Sequence, residues 1–359
     1  MDATSLSMAA MDRPPASSHD AAHAAAQHGM HGLASHPAPS AEPPTRVPAW
    51  RSIAWLVLAL ALVLALGSWL VHNAAANLAA RHIASGFGFL NDSAGFAISE
   101  GVVPYDSGDR YALAFAAGIA NTLRAALPAV LLASVLGFAA GIAQISRHAL
   151  LRLLAVGYVD IVRNVPLLVQ VLLWYFALTS LLPDAERPLQ WDHLVFLSKG
   201  GLTVTLPWQP AEVGAFGVNG GATMSPEWLA LVSALTLYAG AYCAEVVRAG
   251  LQAVPRAQWE AAHALGLTRG QALRRVIVPQ ALRVIVPPYT SLVMNTIKNS
   301  SLAVAIGYPD IVSVATTSLN QNGQAIECIA IIAGVYLLLN LATAAVMGVV
   351  NTRVQLKER

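Results

Sequence analysis

Residues 260–266 read Glu-Ala-Ala-His-Ala-Leu-Gly, and residues 274–279 read Arg-Arg-Val-Ile-Val-Pro. They form a charged island between two apolar runs of the chain. Alanine and other helix formers fill residues 256–265, Pro255 suits the first turn of a helix, and Gly266 suits the position after the last turn. The pattern predicts a short helix between these two breakers.

A second short helix is predicted directly after the first. Thr268 can cap it, and Gln271, three residues later, completes a capping box. We expect this helix to run through the paired arginines at 274–275 until Pro279 interrupts it. Two ordered helices are more than a simple connection needs, which indicates that residues 253–283 bind something.

The first helix carries a narrow apolar face. Trp259, Ala262 and Leu265 recur at spacings of three, so they lie near one side of the helix. We interpret this helix as a rigid piece that fits a groove on a partner protein. The alternative is an interfacial hairpin whose arginines bind lipid phosphates, because such arginines would give a similar pattern.

The composition indicates a membrane protein. Of the 359 residues, 56% are hydrophobic and 11% are charged, whereas a soluble domain has about 25% charged residues. The net charge of +2 gives no argument for nucleic-acid binding. Cys243 and Cys328 lie far apart in apolar runs, and the sequence contains no Walker loop. We therefore expect no metal site, no catalytic residues and no ATP hydrolysis by this chain alone.

Six apolar runs have about the length of a transmembrane helix, which needs about 20 mainly apolar residues. They are residues 53–71, 125–143, 165–182, 228–247, 284–305 and 326–350. The sequence therefore predicts an all-α membrane protein with about six transmembrane helices.

The fifth apolar run carries the candidate pathway residues, namely Asn295, Lys298, Asn299 and Ser300. A rise of 1.5 Å per residue from residue 284 places Lys298 about 20 Å along the run, past the middle of a hydrocarbon core of about 30 Å. Because a charge at that depth is costly, we interpret these side chains as lining a pathway for a polar solute. The alternatives for Lys298 are snorkelling to the outer interface and pairing with Glu327.

The distribution of charge predicts the orientation. Segments 144–164 and 244–283 together carry nine arginines and three acidic residues, whereas segments 73–124 and 183–227 carry five basic and nine acidic residues. Because loops rich in Lys and Arg stay in the cytoplasm, we expect both termini, the 144–164 loop and the 253–283 loop to be cytoplasmic. The chain is therefore expected to cross the membrane several times, in contact with lipid.

A series of motifs follows one another along residues 113–355. They are Asn121-Thr-Leu, Tyr-Val-Asp-Ile-Val-Arg-Asn-Val-Pro at 158–166, Ala-Glu-Val-Val-Arg-Ala-Gly at 244–250, the Glu-Ala-Ala loop, Lys-Asn-Ser-Ser-Leu at 298–302 and Asn-Gln-Asn-Gly-Gln at 320–324. In this order they resemble the permeases of ATP-binding-cassette (ABC) importers for polar amino acids, the His/Glu/Gln/Arg permease family. The likeness is greatest to the larger permease of general L-amino acid importers, the AapQ or BztB type. The chain departs from that type at 183–224, which is polar and Gly/Pro-rich where such permeases commonly carry a further hydrophobic pair.

The resemblance implies a type I ABC importer permease core with a cytoplasmic coupling helix in the Glu-Ala-Ala (EAA) loop. It implies a location in the inner membrane of a bacterium and translocation of amino acids across that membrane by alternating access. The implied partners are a homodimeric ATPase subunit that binds ATP and Mg²⁺, a second related permease subunit and a periplasmic amino-acid-binding protein. This chain itself would bind no cofactor.

The resemblance also implies roles for individual residues. Those expected to dock the ATPase subunit are Trp259, Glu260, Ala261, Ala262, Leu265, Gly266 and Pro279. Those expected to support the cytoplasmic gate are Arg163, Asn164, Glu245 and Arg248, for which a purely structural role at helix ends is the alternative.

The expected domain organisation has five parts. Residues 1–48, rich in Ala, His, Pro and Ser, are predicted to be a disordered cytoplasmic tail. Residues 49–72 are an N-terminal transmembrane helix, 73–112 a periplasmic segment, 113–352 the permease domain and 353–359 a cytoplasmic tail.

Two other classes of protein remain as alternatives to the importer permease. An ion-coupled secondary transporter would need relay groups in its spans and inverted repeats, and a membrane scaffold or anchored enzyme would not need a polar fifth span.

Overall fold

The fold is described from a computed structural model, which describes residues 49–80 and 85–354. The predicted tail at 1–48 and the last residues of the C-terminal tail lie outside this range. The described part of the chain divides into two compact units, one before and one after the boundary between His72 and Asn73. Helix α1 (Ala49–Ala80) includes the apolar stretch Ile53–Asn73, whose 21 residues are long enough to cross a membrane.

The second unit is a helical bundle. Its helices are α2 (Tyr111–Gln144), α3 (Ala149–Asn164), α4 (Leu167–Leu181), α5 (Pro226–Gln252), α6 (Arg256–Ala264), α7 (Arg269–Ala272), α8 (Val278–Asn299), α9 (Ile311–Asn322) and α10 (Ala325–Val354). Short 3₁₀ turns cover Phe87–Asn91 and Ser300–Ile306. Across both units, the described residues contain five helices that can cross a membrane, or six if the bent pair α3 and α4 is one span. The predicted number of about six is confirmed.

The third predicted span has a different form from the one expected. Segment 144–164 was expected to be a loop, but most of it is α3, and α4 follows at an angle of 103°. Pro166 stands at the bend, and the buried Gln170 donates hydrogen bonds of 2.9 Å to the carbonyl oxygens of both Val162 and Val165. The amide of Gln170 therefore bonds to carbonyls at the break, where Pro166 has no N–H to offer the carbonyl of Val162.

The prediction that Pro279 ends the second short helix is wrong. A π-helical turn at Leu273–Ile277 joins α7 to α8, and Pro279 lies in the first turn of α8. A proline is tolerated there because the π turn directly before it already departs from the i→i−4 hydrogen bonding that a proline interrupts. Residues 269–299 therefore form one continuous helical segment.

Residues 189–224 form two small antiparallel sheets. The strands are β1 (Leu189–Trp191), β2 (Val195–Ser198), β3 (Gly201–Val204), β4 (Glu212–Gly214), β5 (Gly217–Asn219) and β6 (Ala222–Met224). One sheet has the order β1-β2-β3-β6, and β4 pairs with β5. None of the candidate membrane helices among the described residues falls in this segment. Its strands were not predicted, because runs of three or four residues show no usable alternation. The all-α class therefore describes the bundle and not this segment.

The core of the bundle is the contact between α2 and α5. Small residues recur at every fourth position of α2 and are all buried: Ala125, Ala129, Ala133, Gly137 and Gly141. Such a column lets two helix backbones approach closely, which is the usual packing device inside a membrane. The approach is tight, because a methyl group on Gly141 would lie 2.7 Å from both the carbonyl oxygen of Ala244 and Cβ of Val247.

At the other end of α2, polar side chains fix two segments that are not helical. Asn121 donates from Nδ2 to the carbonyl oxygens of Glu100 and Pro309, at 2.9 and 3.0 Å. The hydroxyl of Thr122 accepts a bond of 3.1 Å from the backbone N–H of Ile311. The Asn-Thr pair thus ties the segment before α2 and the start of α9 to the same helix.

An ion pair continues this polar cluster. Arg124 lies 2.8 Å from a carboxylate oxygen of Glu100, whose other oxygen accepts a hydrogen bond from Ser225. The indole N–H of Trp228 donates to the carbonyl of Arg124 at 3.2 Å, and its ring lies beneath the guanidinium. Because Ser225 caps α5, the cluster also fixes the start of that helix.

Asp310 is fully buried next to this cluster. One carboxylate oxygen caps α9 by accepting from the N–H of Ser313 at 2.9 Å, and the other has no hydrogen-bond partner among the described residues. Burial raises the pKa of Asp310 to about 7.

We expect Gly141→Ala to destabilise the protein. The added side chain meets backbone and Cβ atoms that have no room to move, and overpacking of this kind costs about 1–3 kcal/mol. Gly334→Ala is the matched control, because a methyl group there has open space in α10. Thermal unfolding in detergent measures the effect, and equal melting temperatures for the two variants would contradict the role of the α2–α5 contact.

We expect Asp310→Asn to flatten the pH dependence of stability. The pKa of Asp310 is higher in the folded than in the unfolded chain, so its contribution is present at low pH and is lost as pH rises towards and through about 7. Asparagine keeps an oxygen for the Ser313 cap and does not titrate. Melting temperatures between pH 5 and pH 8 test this, and the exposed Glu212→Gln should keep the wild-type slope.

Candidate functional site

The predicted helix between Pro255 and Gly266 is present as α6. The chain leaves it through Gly266, whose φ of +74° is in the left-handed region. The N–H of Gly266 donates to the carbonyl of His263 at 2.9 Å, and that of Leu267 to the carbonyl of Ala262 at 3.1 Å. These two bonds form a Schellman motif, so glycine is required here by the backbone conformation.

The predicted capping box is also present. The hydroxyl of Thr268 accepts from the backbone N–H of Gln271 at 3.4 Å, and the side-chain oxygen of Gln271 accepts from the N–H of Thr268 at 3.0 Å. With the Schellman motif, it fixes the turn between α6 and α7 at both ends.

The inner face of α6 rests on the ends of the long helices. Ala262 is 2% exposed, and the half-buried Trp259 packs on a cluster that includes Leu251 of α5 and Ile277 of the π turn. Leu265 does not share this face, because it follows the last helical residue and is 81% exposed. The predicted apolar face is therefore correct for Trp259 and Ala262 and wrong for Leu265.

The outer face of the loop is available to a partner. Glu260, Ala261, Leu265 and Gly266 are exposed around the second half of α6, and Pro279 is exposed at the start of α8. Of the seven predicted docking residues, these five lie on the surface, whereas Trp259 and Ala262 hold the helix in place. Such an arrangement presents a small apolar knob, Leu265, on a supported helix.

The predicted gate residues lie where α3 meets α5. Arg248 donates two hydrogen bonds to Glu245, from Nε at 3.0 Å and from a terminal nitrogen at 2.5 Å. The guanidinium of Arg163 lies 5.0 Å from the ring centre of Tyr242, three residues before Glu245 on α5. Asn164 instead donates to the carbonyl of Asp160 in its own helix. The structure thus brings Arg163 and the Glu245–Arg248 pair to neighbouring turns of α5 and leaves Asn164 apart.

The predicted pathway residues do not all lie together. Asn295 and Lys298 are exposed on α8, and so is Ser291, four residues before Asn295. Spacings of four and three place these residues on one polar stripe. Ser300 is buried and donates to the carbonyl of Ile297, and Asn299 is half-buried. Ser291 was missed, although its spacing from Asn295 was visible in the sequence.

The structure changes the placement of Lys298. Because α8 begins at Val278, six residues earlier than the predicted span, Lys298 lies about 30 Å along this helix and close to its end. Glu327, its proposed partner, accepts a bond of 2.6 Å from the backbone N–H of Gly86. Within the described residues, Lys298 and Glu327 form no ion pair.

The part of the chain that the structure describes contains no group of three His, Cys, Asp or Glu residues that could hold a metal ion. The site therefore consists of an exposed supported helix, a charged helix-end cluster and a polar stripe.

Known proteins are similar to this chain in sequence and in fold. Its residues 122–356 match the family described as "Binding-protein-dependent transport system inner membrane component". It is similar to the putative amino-acid ABC transporter permease protein YhdX of Escherichia coli K12, with 39% identity over 85% of this chain and 95% of the relative. It is also similar to the general L-amino acid transport system permease protein AapQ of Rhizobium johnstonii, with 35% identity over 87% and 94% of the two chains.

A solved structure agrees with these relatives. A crystal structure of an amino acid ABC transporter with histidines aligns with a TM-score of 0.52 and 28% identity, covering 68% of this chain and 95% of the other. The family model spans more than half of this chain, including α5, the α6–α7 loop and α8. The chain therefore belongs to the family of binding-protein-dependent transport system inner membrane components.

Proposed function

We propose that this chain is the membrane-spanning permease subunit of an ABC importer for amino acids, and that α6 docks the ATP-hydrolysing subunit. The observation that carries the proposal is the construction of α6: its inner face is sealed on the ends of α5 and α8, and its outer face presents Leu265 and Glu260. A helix supported in this way can transmit a displacement caused by a partner protein to the helical bundle.

The continuous helical segment provides the route by which this displacement would reach the pathway. Residues 269–299 join the docking loop to the polar stripe of Ser291, Asn295 and Lys298 without an intervening coil. Closure of the ATPase dimer on ATP and Mg²⁺ would displace α6 and tilt α8 with it. The partner shifts the chain between outward- and inward-facing states only by binding one of them better, and the α6 surface is where this difference enters.

The relatives named for amino-acid transport support the class of substrate. The stripe has suitable chemistry, because the ammonium of Lys298 can pair with a substrate carboxylate, and Asn295 and Ser291 offer hydrogen-bonding groups. In this proposal α8 faces a second, related permease subunit across the pathway. The pair formed by Glu245 and Arg248, with Arg163 nearby, supports the cytoplasmic end of the gate.

Orientation is part of the proposal. The arginine-rich segments 144–164 and 244–283 favour a cytoplasmic position for α6 and for both termini, in a bacterium. The small sheets then lie in the periplasm, where a binding protein would deliver substrate. Residues 113–352 form the permease domain, and 49–72 add an N-terminal anchor. Membership of the binding-protein-dependent family favours this importer over an ion-coupled secondary transporter.

We expect Leu265→Asp to abolish capture of the ATPase subunits. The full-length chain is expressed with the ATPase subunits encoded in the same genome and purified from detergent. A charge in the apolar knob opposes docking, while α6 keeps its caps and its inner face. Gly266→Leu should also lose capture, but it forces a left-handed conformation that costs about 1–2 kcal/mol and so disturbs the end of the helix itself.

Leu194→Asp is the matched control, because Leu194 is an exposed leucine beside the sheets. It should capture ATPase subunits as the wild type does. Normal capture by Leu265→Asp would overturn docking on α6. Failure of capture by the wild type, together with uptake driven by an ion gradient, would favour the secondary transporter.

We expect Lys298→Met to weaken uptake while leaving assembly intact. A hydrogen bond to a charged group is worth about 1.5–3 kcal/mol, so the KM for a substrate whose carboxylate it holds should rise by about ten-fold or more. Lys199→Met is the control, because it removes only an exposed ion pair with Asp184 in the sheet region. Unchanged uptake kinetics in Lys298→Met would remove this lysine from the pathway.

A further inference from the structure

An open groove lies between the C-terminal end of α2, the turn that follows it, and the α6–α7 loop. Its volume is about 520 Å³. Trp259 and Arg269 line it from the loop, Ile142 and Arg147 from the end of α2 and its turn, and Leu151 from the start of α3. None of the functions proposed above uses this groove.

Two chemistries meet in the groove. Arg147, His148 and Arg269 bring cationic or protonatable groups to it, and the first and last are exposed arginines. Neither of these arginines forms an ion pair with a carboxylate among the described residues. Ile142, Leu151 and the indole of Trp259 supply the apolar part. A matching ligand carries an anionic group joined to a hydrocarbon.

The residues around the groove indicate that the hydrocarbon part of the ligand is a lipid acyl chain. The apolar stretch of α2 ends beside the groove, and the adjoining turns of α3 expose Leu150, Leu153 and Leu154 to 70%, 68% and 63%. Exposed leucines on a membrane protein are matched by acyl chains, and tryptophan and arginine are typical of the headgroup level. An acidic side chain of a protein partner would pair with the arginines but would leave this apolar surface uncovered.

We propose that the groove binds an anionic phospholipid, with Arg147 and Arg269 contacting the phosphate and an acyl chain lying along Ile142 and Leu151. Because Trp259 and Arg269 belong to the docking loop, the bound lipid links the end of α2 to that loop. Transport then depends on the anionic lipid content of the membrane. This last consequence rests on the proposed function, whereas binding of the lipid does not.

The test of binding uses the full-length chain in detergent with phosphatidylglycerol, phosphatidylcholine or inorganic phosphate. Native mass spectrometry measures the retained lipid. The wild type should retain phosphatidylglycerol in preference to phosphatidylcholine. The double variant Arg147→Gln/Arg269→Gln should bind phosphatidylglycerol at least about ten-fold more weakly than the wild type, since each arginine near the surface contributes to the attraction of anionic lipid. Arg256→Gln/Arg274→Gln removes two exposed arginines of the same loop that do not line the groove, and should retain the lipid.

Equal loss in both double variants would overturn the site, because it would show attraction by overall charge. Displacement of the lipid by millimolar inorganic phosphate would also overturn it, since the acyl contact would then contribute nothing. The linked effect is measured as ATPase activity of the assembled complex in nanodiscs with and without phosphatidylglycerol. Lipid retention without assembly of a complex would refute the proposed function and leave the lipid site standing.

Discussion

The close approach of α2 to α5 is the constraint on which the rest of the structure depends. A column of alanine and glycine on α2 brings the two backbones together, and there is no space for another methyl group at Gly141. Helices α3, α4 and α8 then pack on α5. The start of α5 is held by the cluster around Glu100 and Arg124, and its end supports α6. A single central helix therefore connects the sheet-bearing end of the bundle to the docking loop.

Sequence reasoning succeeded where the physical cause is local. Gly266 and the Thr268–Gln271 box end and begin helices by hydrogen bonds within a few residues, so their spacing alone indicated them. The apolar runs likewise predicted the number of spans, because a membrane demands length and apolarity and little else. The motifs resembling amino-acid importers agree with the family to which this chain belongs and with the names of its relatives.

Sequence reasoning failed where residues distant in the sequence determine the local structure. The bend between α3 and α4 depends on Gln170 reaching back to Val162, which no periodicity shows. Asn121 bonds to carbonyls 21 and 188 residues away, so its structural role had no local signal. Pro279 was predicted to end a helix because proline usually does so, but the π turn before it placed it in a first turn, where it is tolerated.

The π turn at Leu273–Ile277 also determines the rotation of α8 about its axis relative to α7. It holds one residue more than the same turn of an α-helix would, and Val278 donates to a carbonyl five residues back. Rewinding that turn into α-helical form would rotate everything beyond it by about 100° relative to α7, because one residue of an α-helix covers that angle. The one extra residue of the π turn before α8 thus determines which way the polar stripe of Ser291, Asn295 and Lys298 faces. A change of one residue in the winding of that turn is enough to rotate the stripe.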